Sequence, residues 1–490
     1  MSKERQIQNS FIYLIPTLVD NLLPFLTLPI FSRILLPSDY GLLALVQVFA
    51  TFGCGLSNLA LLGVYDRSYF QYRHDARQSV QLLFSVTGLV VVNSLALLAI
   101  TYLIQNPLSR LFTQSPQHGD LLLAALAAEC ALCLRQYYLF FFKNREEAKV
   151  YVKNYLISSG LTFVLSLLFV GALRTGIIGI IYGRLIGHGA ALVSLHRRVL
   201  RVAPFSWSRA MVGELLKISL PLTPPIFYSS ISKQFDKYML GLLSTIDSVG
   251  VYSIGQKMSY MIFVYMTSLQ NVFQPQVYQR MFEREKAGED VGKYLTPFIY
   301  ISIFVGLLVS LFAEEVIGLL TPVEYHGAIP VVMILAMYYG FLFWGKINSV
   351  QLLYKKRTGI MSLLTFLTIV LNILLGIPMI RYWGAQGAAW SMLIVGVLSG
   401  GVANVVAQKS YLIRWENGKV FAIYAVFFGA SLVMVLFWNL HVNPVLRAVA
   451  KLAGLAVYLA LGVQWHIVKK KNFDLVLSVL RLKALAKAAP

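Results

Sequence analysis

The sequence predicts an all-helical polytopic membrane protein with fourteen transmembrane helices. Of its 490 residues 58% are hydrophobic and only 13% are charged, whereas about a quarter of the residues of a soluble protein are charged. The apolar residues also gather in stretches of about twenty, the length that crosses ~30 Å of hydrocarbon at a rise of ~1.5 Å per residue. No polar stretch is long enough to form a separate soluble domain.

The apolar stretches follow one another along the chain with short polar connections between them. Residues 11–31 are too long for a cleaved signal peptide, so we expect them to remain as the first span. Prolines inside the first and seventh stretches are compatible with spans, because neighbouring helices satisfy the freed backbone groups. The predicted spans are 11–31, 41–64, 81–104, 120–142, 155–173, 177–195, 218–241, 249–273, 294–313, 327–352, 360–380, 385–408, 420–438 and 446–467.

Basic residues predict the orientation of the chain. The two termini and every second connection hold 30 of the 42 Lys and Arg residues, and the positive-inside rule therefore places both termini in the cytoplasm. The net charge of +21 then reflects orientation and attraction to anionic lipid, and no nucleic-acid-binding motif accompanies it. We expect the remaining connections to hold Arg33, Arg110, Arg174, Arg381, Arg447 and Lys451.

An internal repeat divides the chain into two pseudo-symmetric lobes of six helices. Gly176-x-x-Gly179 recurs as Gly384-x-x-Gly387, at an offset of 384 − 176 = 208 residues, and three shorter motifs recur at nearly the same offset. Six spans per half give both halves one orientation in the membrane. The predicted parts are an N-terminal lobe (1–195), a cytoplasmic linker (196–217), a C-terminal lobe (218–408), two extra helices (409–467) and a basic tail (468–490). The tail is predicted to be an amphipathic helix on the inner leaflet, with a plain charged tail as the alternative.

Histidine aside, we count nine charged residues in the apolar stretches, six of them basic and three acidic. A charge at the centre of a bilayer costs from ~3 to more than ~10 kcal/mol, so such a residue normally faces a wet interior and serves a transported substrate. The excess of basic residues favours an anionic substrate. The predicted substrate-binding residues are Arg135, Arg184, Lys233, Lys237, Lys257 and Lys346.

These basic residues differ in what surrounds them along the sequence. Arg135 is well suited to a phosphate, because a guanidinium binds oxyanions through two parallel hydrogen bonds. Lys257 and Lys346 have no acidic residue within a helical turn and are strong candidates for lining a cavity. Asp236 is expected to pair with one of the lysines beside it, which leaves the other lysine for the substrate.

Three groups in the spans are candidates for coupling to an ion: Asp20, Glu129 and His188. Asp20 lies beside Asn21, and it either changes protonation during transport or is a neutral acid that Asn21 holds by a hydrogen bond. His188 lies one turn after Arg184 and titrates near neutral pH if its environment allows. A structural histidine with a hydrogen-bond partner is the commoner situation.

Two segments of this chain resemble the signature of bacterial polysaccharide and O-antigen flippases. Leu28-Pro-Ile-Phe-Ser-Arg33 runs into Leu36-Pro-Ser-Asp39-Tyr-Gly41, and Asp236-Lys-Tyr fits the same pattern. These flippases form a branch of the multidrug/oligosaccharidyl-lipid/polysaccharide exporter (MOP) superfamily, and the resemblance covers nearly the whole chain. It implies a V-shaped pair of lobes similar to the multidrug and toxin extrusion (MATE) transporters, alternating access, and coupling to an ion gradient or to the membrane potential.

The resemblance implies a flippase that moves polyprenyl-diphosphate-linked oligosaccharide across the bacterial plasma membrane for surface polysaccharides such as O-antigen or exopolysaccharide. Expected partners are that substrate, membrane lipids, and the polymerase and glycosyltransferases of the same pathway. One alternative is a cation-coupled multidrug antiporter, which favours an acidic cavity. Others are a flippase for lipid II, the peptidoglycan precursor, and an assembly factor without transport.

No motif predicts an enzyme, a metal site or a cofactor. A Walker A sequence is absent, so the chain has no ATP-binding motif of that kind. Cys130-x-x-Cys133 lies on an apolar stretch without further ligands, which indicates packing residues. Carboxylates of the longest connections alternate with basic residues, which is typical of a solvated loop.

Overall fold

The computed structural model describes residues 25–232, 234–283 and 288–467, together with residues 12, 15, 16, 19 and 21–23. These residues are mostly helical and include no β-strand. The predictions made for Asp20, Lys233 and the tail 468–490 lie outside the described residues.

The helices are connected by short turns, and a 3₁₀ turn precedes both α6 (Pro116–His118) and α14 (Val323–Tyr325). Their bounds are α1 (Asn21–Phe31, with residue 24 outside the description), α2 (Pro37–Asn58), α3 (Leu61–Tyr72), α4 (Ala76–Leu103), α5 (Gln105–Thr113), α6 (Gly119–Asn144), α7 (Ala148–Leu167), α8 (Ile177–Leu200), α9 (Arg209–Ser232), α10 (Phe235–Leu243), α11 (Ile246–Glu283), α12 (Gly288–Leu311), α13 (Ala313–Leu320), α14 (Ala328–Tyr354), α15 (Thr358–Ser410), α16 (Asn417–Asn439) and α17 (Pro444–Gln464).

Ten helical segments among the described residues are long and apolar enough to cross a membrane. One of them is α15, whose 53 residues cover the predicted spans 360–380 and 385–408 and contain a non-helical break at Gly384. The predicted span 249–273 lies in α11, a helix of 38 residues that is not among the ten. The chain is therefore a multi-pass membrane protein, and the number fourteen stays a prediction.

Contacts between residues divide the chain into two compact units. Unit 1 comprises Met1–Ser253 and Leu319–Tyr325, and unit 2 comprises Ile254–Gly318 and His326–Pro490. In unit 1 the Tyr325 hydroxyl donates a hydrogen bond of 2.6 Å to the carbonyl oxygen of Leu35. Because α9, α10 and the start of α11 belong to unit 1, the units differ from the predicted lobes, whose division stays a prediction.

The repeated glycine motif has the same local geometry at both of its positions. Gly176 has φ 66° and ψ −150°, and Gly384 has φ 53° and ψ −125°, a region that is essentially restricted to glycine. Three residues later a Cβ atom would overlap neighbouring atoms, those of Thr175 and Phe169 at Gly179 and the carbonyl of Met379 at Gly387. Each motif thus forms a tight turn between two closely packed helices.

Close packing of α8 on α7 positions the polar side chains of unit 1. A Cβ atom on Gly183 would overlap Ser166 of α7, and one on Gly187 would overlap Thr162. These glycines bring the two helix backbones together, as small residues do in membrane proteins. Arg184 and His188 each follow one of them and lie on the neighbouring face of α8.

Arg447 and Lys451 do not lie in a connection, so that prediction is wrong. Both residues belong to α17, which begins at Pro444 and is capped by the side chain of Asn443. Lys451 is buried and forms ion pairs with Glu314 (2.9 Å) and Glu315 (2.6 Å), and Arg447 pairs with Glu314 (2.8 Å). The predicted span 446–467 already contained both residues, and their spacing of four places them one turn apart on α17, where both reach α13.

Candidate functional site

Unit 1 contains a cavity of about 780 Å³ between its helices. Its wall comes from α2, α6, α7 and α8, with Gln234 before α10 and the N-terminal residues Pro16 and Leu23. Four of the residues predicted from the sequence line it, namely Glu129, Arg135, Arg184 and His188. These residues come from two predicted spans, the fourth and the sixth, whose side chains meet only in the folded unit.

Gln47 joins a basic and an acidic side chain at the wall of the cavity. The Arg184 guanidinium donates a hydrogen bond of 2.5 Å to Oε1 of Gln47, and Nε2 of Gln47 donates one of 2.7 Å to Oε2 of Glu129. Only this orientation of the amide satisfies both partners, because a flipped amide would set donor against donor and acceptor against acceptor. Gln47 therefore separates Arg184 from Glu129 and keeps them out of direct contact through these atoms.

Arg135 is buried, with 3% of its surface exposed, and its guanidinium lies 5.1 Å from the ring centroid of Tyr155. Both residues line the cavity. An arginine is more weakly hydrated than a lysine and stacks on aromatic rings, so it tolerates this partly apolar wall. This cation–π contact holds the guanidinium beside the cavity.

His188 has the hydrogen-bond partner expected of a structural histidine. Its Nδ1 lies 3.2 Å from the hydroxyl of Ser158, which also donates to the carbonyl oxygen of Gly187 at 3.2 Å. His188 nevertheless lines the cavity together with Arg184 and Arg135. His188 thus has a structural hydrogen-bond partner and also borders the cavity.

Lys237 and Asp236 lie at the start of α10, next to the cavity-lining residue Gln234. The Lys237 ammonium donates to Oε1 of Gln234 at 3.3 Å, and the carboxylate of Asp236 accepts a hydrogen bond from the hydroxyl of Tyr252. Asp236 is buried, with 9% of its surface exposed. The expected pair between Asp236 and a lysine stays a prediction.

Lys346 and Lys257 belong to unit 2 and are not among the residues that line the cavity of unit 1. The ammonium of Lys346 donates to the Thr267 hydroxyl (3.1 Å) and to Oε1 of Gln270 (2.9 Å), and it lies 4.5 Å from the ring centroid of Phe263. Lys257 lies on the exposed side of α11. The structure thus brings the two arginines together on one cavity of unit 1, whereas these two lysines belong to unit 2.

The sequence analysis missed Gln47, because it considered only ionisable residues inside the spans. A signal was available, since Gln47 interrupts an otherwise apolar stretch and Thr51 follows it by one turn. The Thr51 hydroxyl donates to the carbonyl oxygen of Gln47 at 2.8 Å, and both residues line the cavity. An uncharged amide in a span needs a polar partner as a charged group does, although burying it without one costs less free energy.

The described lining carries two arginines and one glutamate, which leaves a net charge of 2 − 1 = +1 with neutral histidine. A cavity of this size matches the range of about 300–1,000 Å³ typical of small-molecule sites. Guanidinium groups in it are suited to an oxyanion such as a phosphate. Among the described residues no group of three His, Cys, Asp or Glu side chains is placed to hold a metal ion.

Comparisons with known proteins agree on the kind of protein. A family model described as polysaccharide biosynthesis protein matches residues 7–281. Similar solved structures include an inward-facing MATE family multidrug resistance transporter of the MOP superfamily (TM-score 0.60, 19% identity, covering 82% of this chain and 95% of that one). The inward closed lipid II flippase MurJ gives a TM-score of 0.62 at 16% identity, covering 90% of this chain and 98% of that one. No curated protein matches the sequence.

A third similar structure is a MOP superfamily transporter from Pyrococcus furiosus, described as having a binding pocket of reverse polarity that suggests a different function. It gives a TM-score of 0.53 at 16% identity and covers 86% of this chain and 96% of that one. At these identities the three structures show the fold alone, which this chain shares with MATE transporters and MurJ.

Proposed function

The chain belongs to the family of polysaccharide biosynthesis proteins, and on that premise we propose that it is the flippase for a polyprenyl-diphosphate-linked oligosaccharide in a bacterial plasma membrane. Its family and fold make it a membrane flippase or transporter of the MOP superfamily. The substrate, the direction and the membrane are the proposal. The observation that carries it is the presence of Arg135 and Arg184 in one cavity.

A lipid-linked oligosaccharide poses two opposite problems in crossing a bilayer. Each sugar hydroxyl that enters hydrocarbon loses its hydrogen bonds to water, at a cost of several kcal/mol on alkane scales. The polyprenyl tail, in contrast, is stable in the hydrocarbon throughout. A flippase therefore needs a polar cavity for the head group only, with positive charge for the diphosphate that joins head and tail.

The cavity of unit 1 supports this role for the diphosphate. Arg184 keeps further guanidinium N–H groups beyond the one that contacts Gln47, and Arg135 presents a guanidinium fixed on Tyr155. Hydrogen bonds to charged groups contribute about 1.5–3 kcal/mol each. Two arginines are therefore sufficient for a large part of the affinity that a diphosphate needs at this position.

Transport then follows by alternating access, in which two helical lobes rock about the bound head group. In this proposal the head group enters from the inner leaflet and leaves to the outer one. Glycosyltransferases make the substrate and a polymerase uses the product. Glu129 and His188 line the cavity and, with Asp20, are the candidates for coupling the cycle to an ion.

Two alternatives make different demands on the same cavity. A cation-coupled drug antiporter needs acidic groups to dominate, whereas the described lining has two arginines and one glutamate. A lipid II flippase needs the same diphosphate chemistry, and the match to MurJ over 90% of this chain favours it as the second candidate. The two flippases differ in the head group that they accept.

Binding of undecaprenyl diphosphate to the purified protein in nanodiscs tests the proposal. We expect Arg135→Gln and Arg184→Gln each to weaken binding about tenfold or more, since each removes at least one charge-assisted hydrogen bond. Arg110→Gln is the matched control, because Arg110 is exposed in the same unit and is not among the cavity-lining residues. Equal binding by all three variants would overturn the assignment of the cavity. Tight binding of cationic dyes that Arg184→Gln leaves unchanged would favour the antiporter.

A further inference from the structure

Helix α11 has two chemically opposite faces within unit 2. One face is buried and apolar, with Met258, Ile262, Met266, Phe273 and Val277 each 3% exposed or less. That face packs on its neighbours, as the contacts of Phe273 with the rings of Phe298 and Phe343 show. The opposite side of the helix is not buried, and polar residues predominate along its centre, with the exposed apolar residues Met261 and Val272 at its border.

Polar residues on this opposite side, here called the polar face, recur at helical spacing along the predicted span 249–273 and just beyond it. Its members are exposed or half-buried, and steps of three, four and seven residues relate most of them. They are Lys257, Tyr260, Thr267, Gln270, Asn271 and Gln274.

The polar face is unlike a surface that contacts lipid. Helix α17 of the same unit provides the comparison, because its exposed residues are apolar, with Val449, Leu452 and Val463 each more than half exposed (56%, 64% and 65%). Amides and an ammonium directed at hydrocarbon would each cost several kcal/mol on alkane scales. The polar face therefore meets water or a polar ligand during the working of the protein.

Hydrogen bonds join the centre of the polar face to one lysine of α14. Lys346 donates to Thr267 and Gln270, and Nε2 of Gln270 donates to Oε1 of Gln274 at 3.0 Å. Residues 254–278 contain no acidic side chain, and Lys257 is their only basic one. The face thus offers neutral donors and acceptors beside two ammonium groups, those of Lys257 and Lys346, and all of these groups can hydrogen-bond the hydroxyls of a sugar.

Aromatic rings border the polar face at its N-terminal end. The Tyr260 ring is stacked on Phe263 at a centroid distance of 5.2 Å and meets Tyr339 edge to face at 5.9 Å. Tyr260 is 46% exposed. Such a ring offers a flat apolar surface with a polar hydroxyl at its end, and a sugar presents the complementary pair, a C–H face rimmed by hydroxyls.

We propose that the polar face of α11 is a glycan subsite, which binds hydroxyl groups of the sugars of the lipid-linked oligosaccharide. This inference rests on the proposed function and adds a sugar-binding surface in unit 2 to it. The amides of Gln270 and Gln274 hydrogen-bond sugar hydroxyls, and Tyr260 covers a sugar ring. Specificity for the glycan then resides in unit 2.

The test compares two ligands on one protein in nanodiscs. The first is undecaprenyl diphosphate without sugar, and the second is the polyprenyl-diphosphate-linked oligosaccharide fraction extracted from cells that lack this protein. The variants are Gln270→Leu/Gln274→Leu and, since Gln270 also holds Lys346, the single change Asn271→Leu at an exposed site. Gln276→Leu is the matched control, because this glutamine lies on the same helix off the polar face, where it accepts a hydrogen bond from Tyr294.

We expect the wild-type protein to bind the sugar-bearing ligand at least tenfold more tightly than the bare diphosphate. The double variant loses about tenfold and Asn271→Leu about threefold for the sugar-bearing ligand alone, as the loss of two neutral hydrogen bonds or of one predicts. Equal affinity of the wild type for both ligands, or variants that retain the full gain from the sugar, would overturn the glycan subsite. Failure of the bare diphosphate to bind would instead contradict the proposed function, so the two failures are distinct.

Discussion

Gln47 separates the charges of the candidate diphosphate site, and Gln47→Glu tests whether the net charge of the cavity controls binding. The substitution keeps the size of the side chain and keeps an oxygen for the Arg184 guanidinium. When ionised, the new carboxylate lowers the net charge of the described lining from +1 to zero. It also faces the carboxylate of Glu129, which the amide of Gln47 now contacts at 2.7 Å.

The expected loss follows from Coulomb's law. A unit charge placed ~8 Å from a bound phosphate charge repels it by about 2 kcal/mol at an effective dielectric constant of about 20. Water in the cavity and the adjacent guanidinium reduce this by about half, to about 1 kcal/mol, which leaves roughly a fivefold loss in affinity for undecaprenyl diphosphate.

The assay is calorimetric titration of the nanodisc-embedded protein with undecaprenyl diphosphate at pH 8 and moderate salt. Gln47→Leu removes the two hydrogen bonds without adding charge and separates packing from electrostatics. Gln71→Glu adds the same charge at an exposed residue of α3, and we expect it to change the affinity less than twofold. If Gln47→Glu binds as tightly as Gln71→Glu, Arg184 does not contribute its charge to the binding site and the reasoning fails.

Three further predictions concern stability, measured by thermal melting of the purified protein. Gly387→Ala is expected to lower the free energy of unfolding by about 3 kcal/mol or more, because its Cβ overlaps the carbonyl of Met379, whereas Gly401→Ala, with open space around it, changes stability by less than about 1 kcal/mol. Lys451→Met is expected to cost about 2–4 kcal/mol because it leaves two carboxylates without their buried partner, and Lys419→Met, from a more exposed pair with Glu416, less than about 1 kcal/mol. Tyr458→Phe removes the buried 2.7 Å hydrogen bond to the carbonyl oxygen of Tyr300 and is expected to cost about 1–2 kcal/mol. The packing or pairing would be contradicted if Gly387→Ala melted at the same temperature as Gly401→Ala, or Lys451→Met at that of Lys419→Met. It would likewise be contradicted if Tyr458→Phe melted at the temperature of the wild type.

The sequence predicted the class of protein because hydropathy is a property of single segments. It also located the repeated glycine motif, since Gly176 and Gly384 need a backbone conformation that other residues avoid. Arg135 and Arg184 were visible as charges inside apolar stretches. Their convergence on one cavity was not, because it depends on how α6 and α8 pack and how each helix is rotated.

Other features depended on detail that hydropathy does not carry. Gln47 has no charge, so it was not among the ionisable residues of the spans, although it joins Arg184 to Glu129. Lys451 was counted with the connections although the predicted span 446–467 contains it, because hydropathy does not show the ion pairs with Glu314 and Glu315 that accommodate a lysine in α17. A contact between distant helices decides the role of each residue, and the sequence shows only one partner at a time.

The central claim is that Arg135 and Arg184 hold the diphosphate while the head group crosses the membrane. Its most direct measurement is transbilayer movement of the extracted lipid-linked oligosaccharide in proteoliposomes, followed by the access of a membrane-impermeant glycosidase to the sugar. We predict that the wild-type protein and Arg110→Gln expose the inner-leaflet pool to the enzyme, and that the double variant Arg135→Gln/Arg184→Gln leaves it protected. Equal rates for all three proteins would contradict the account.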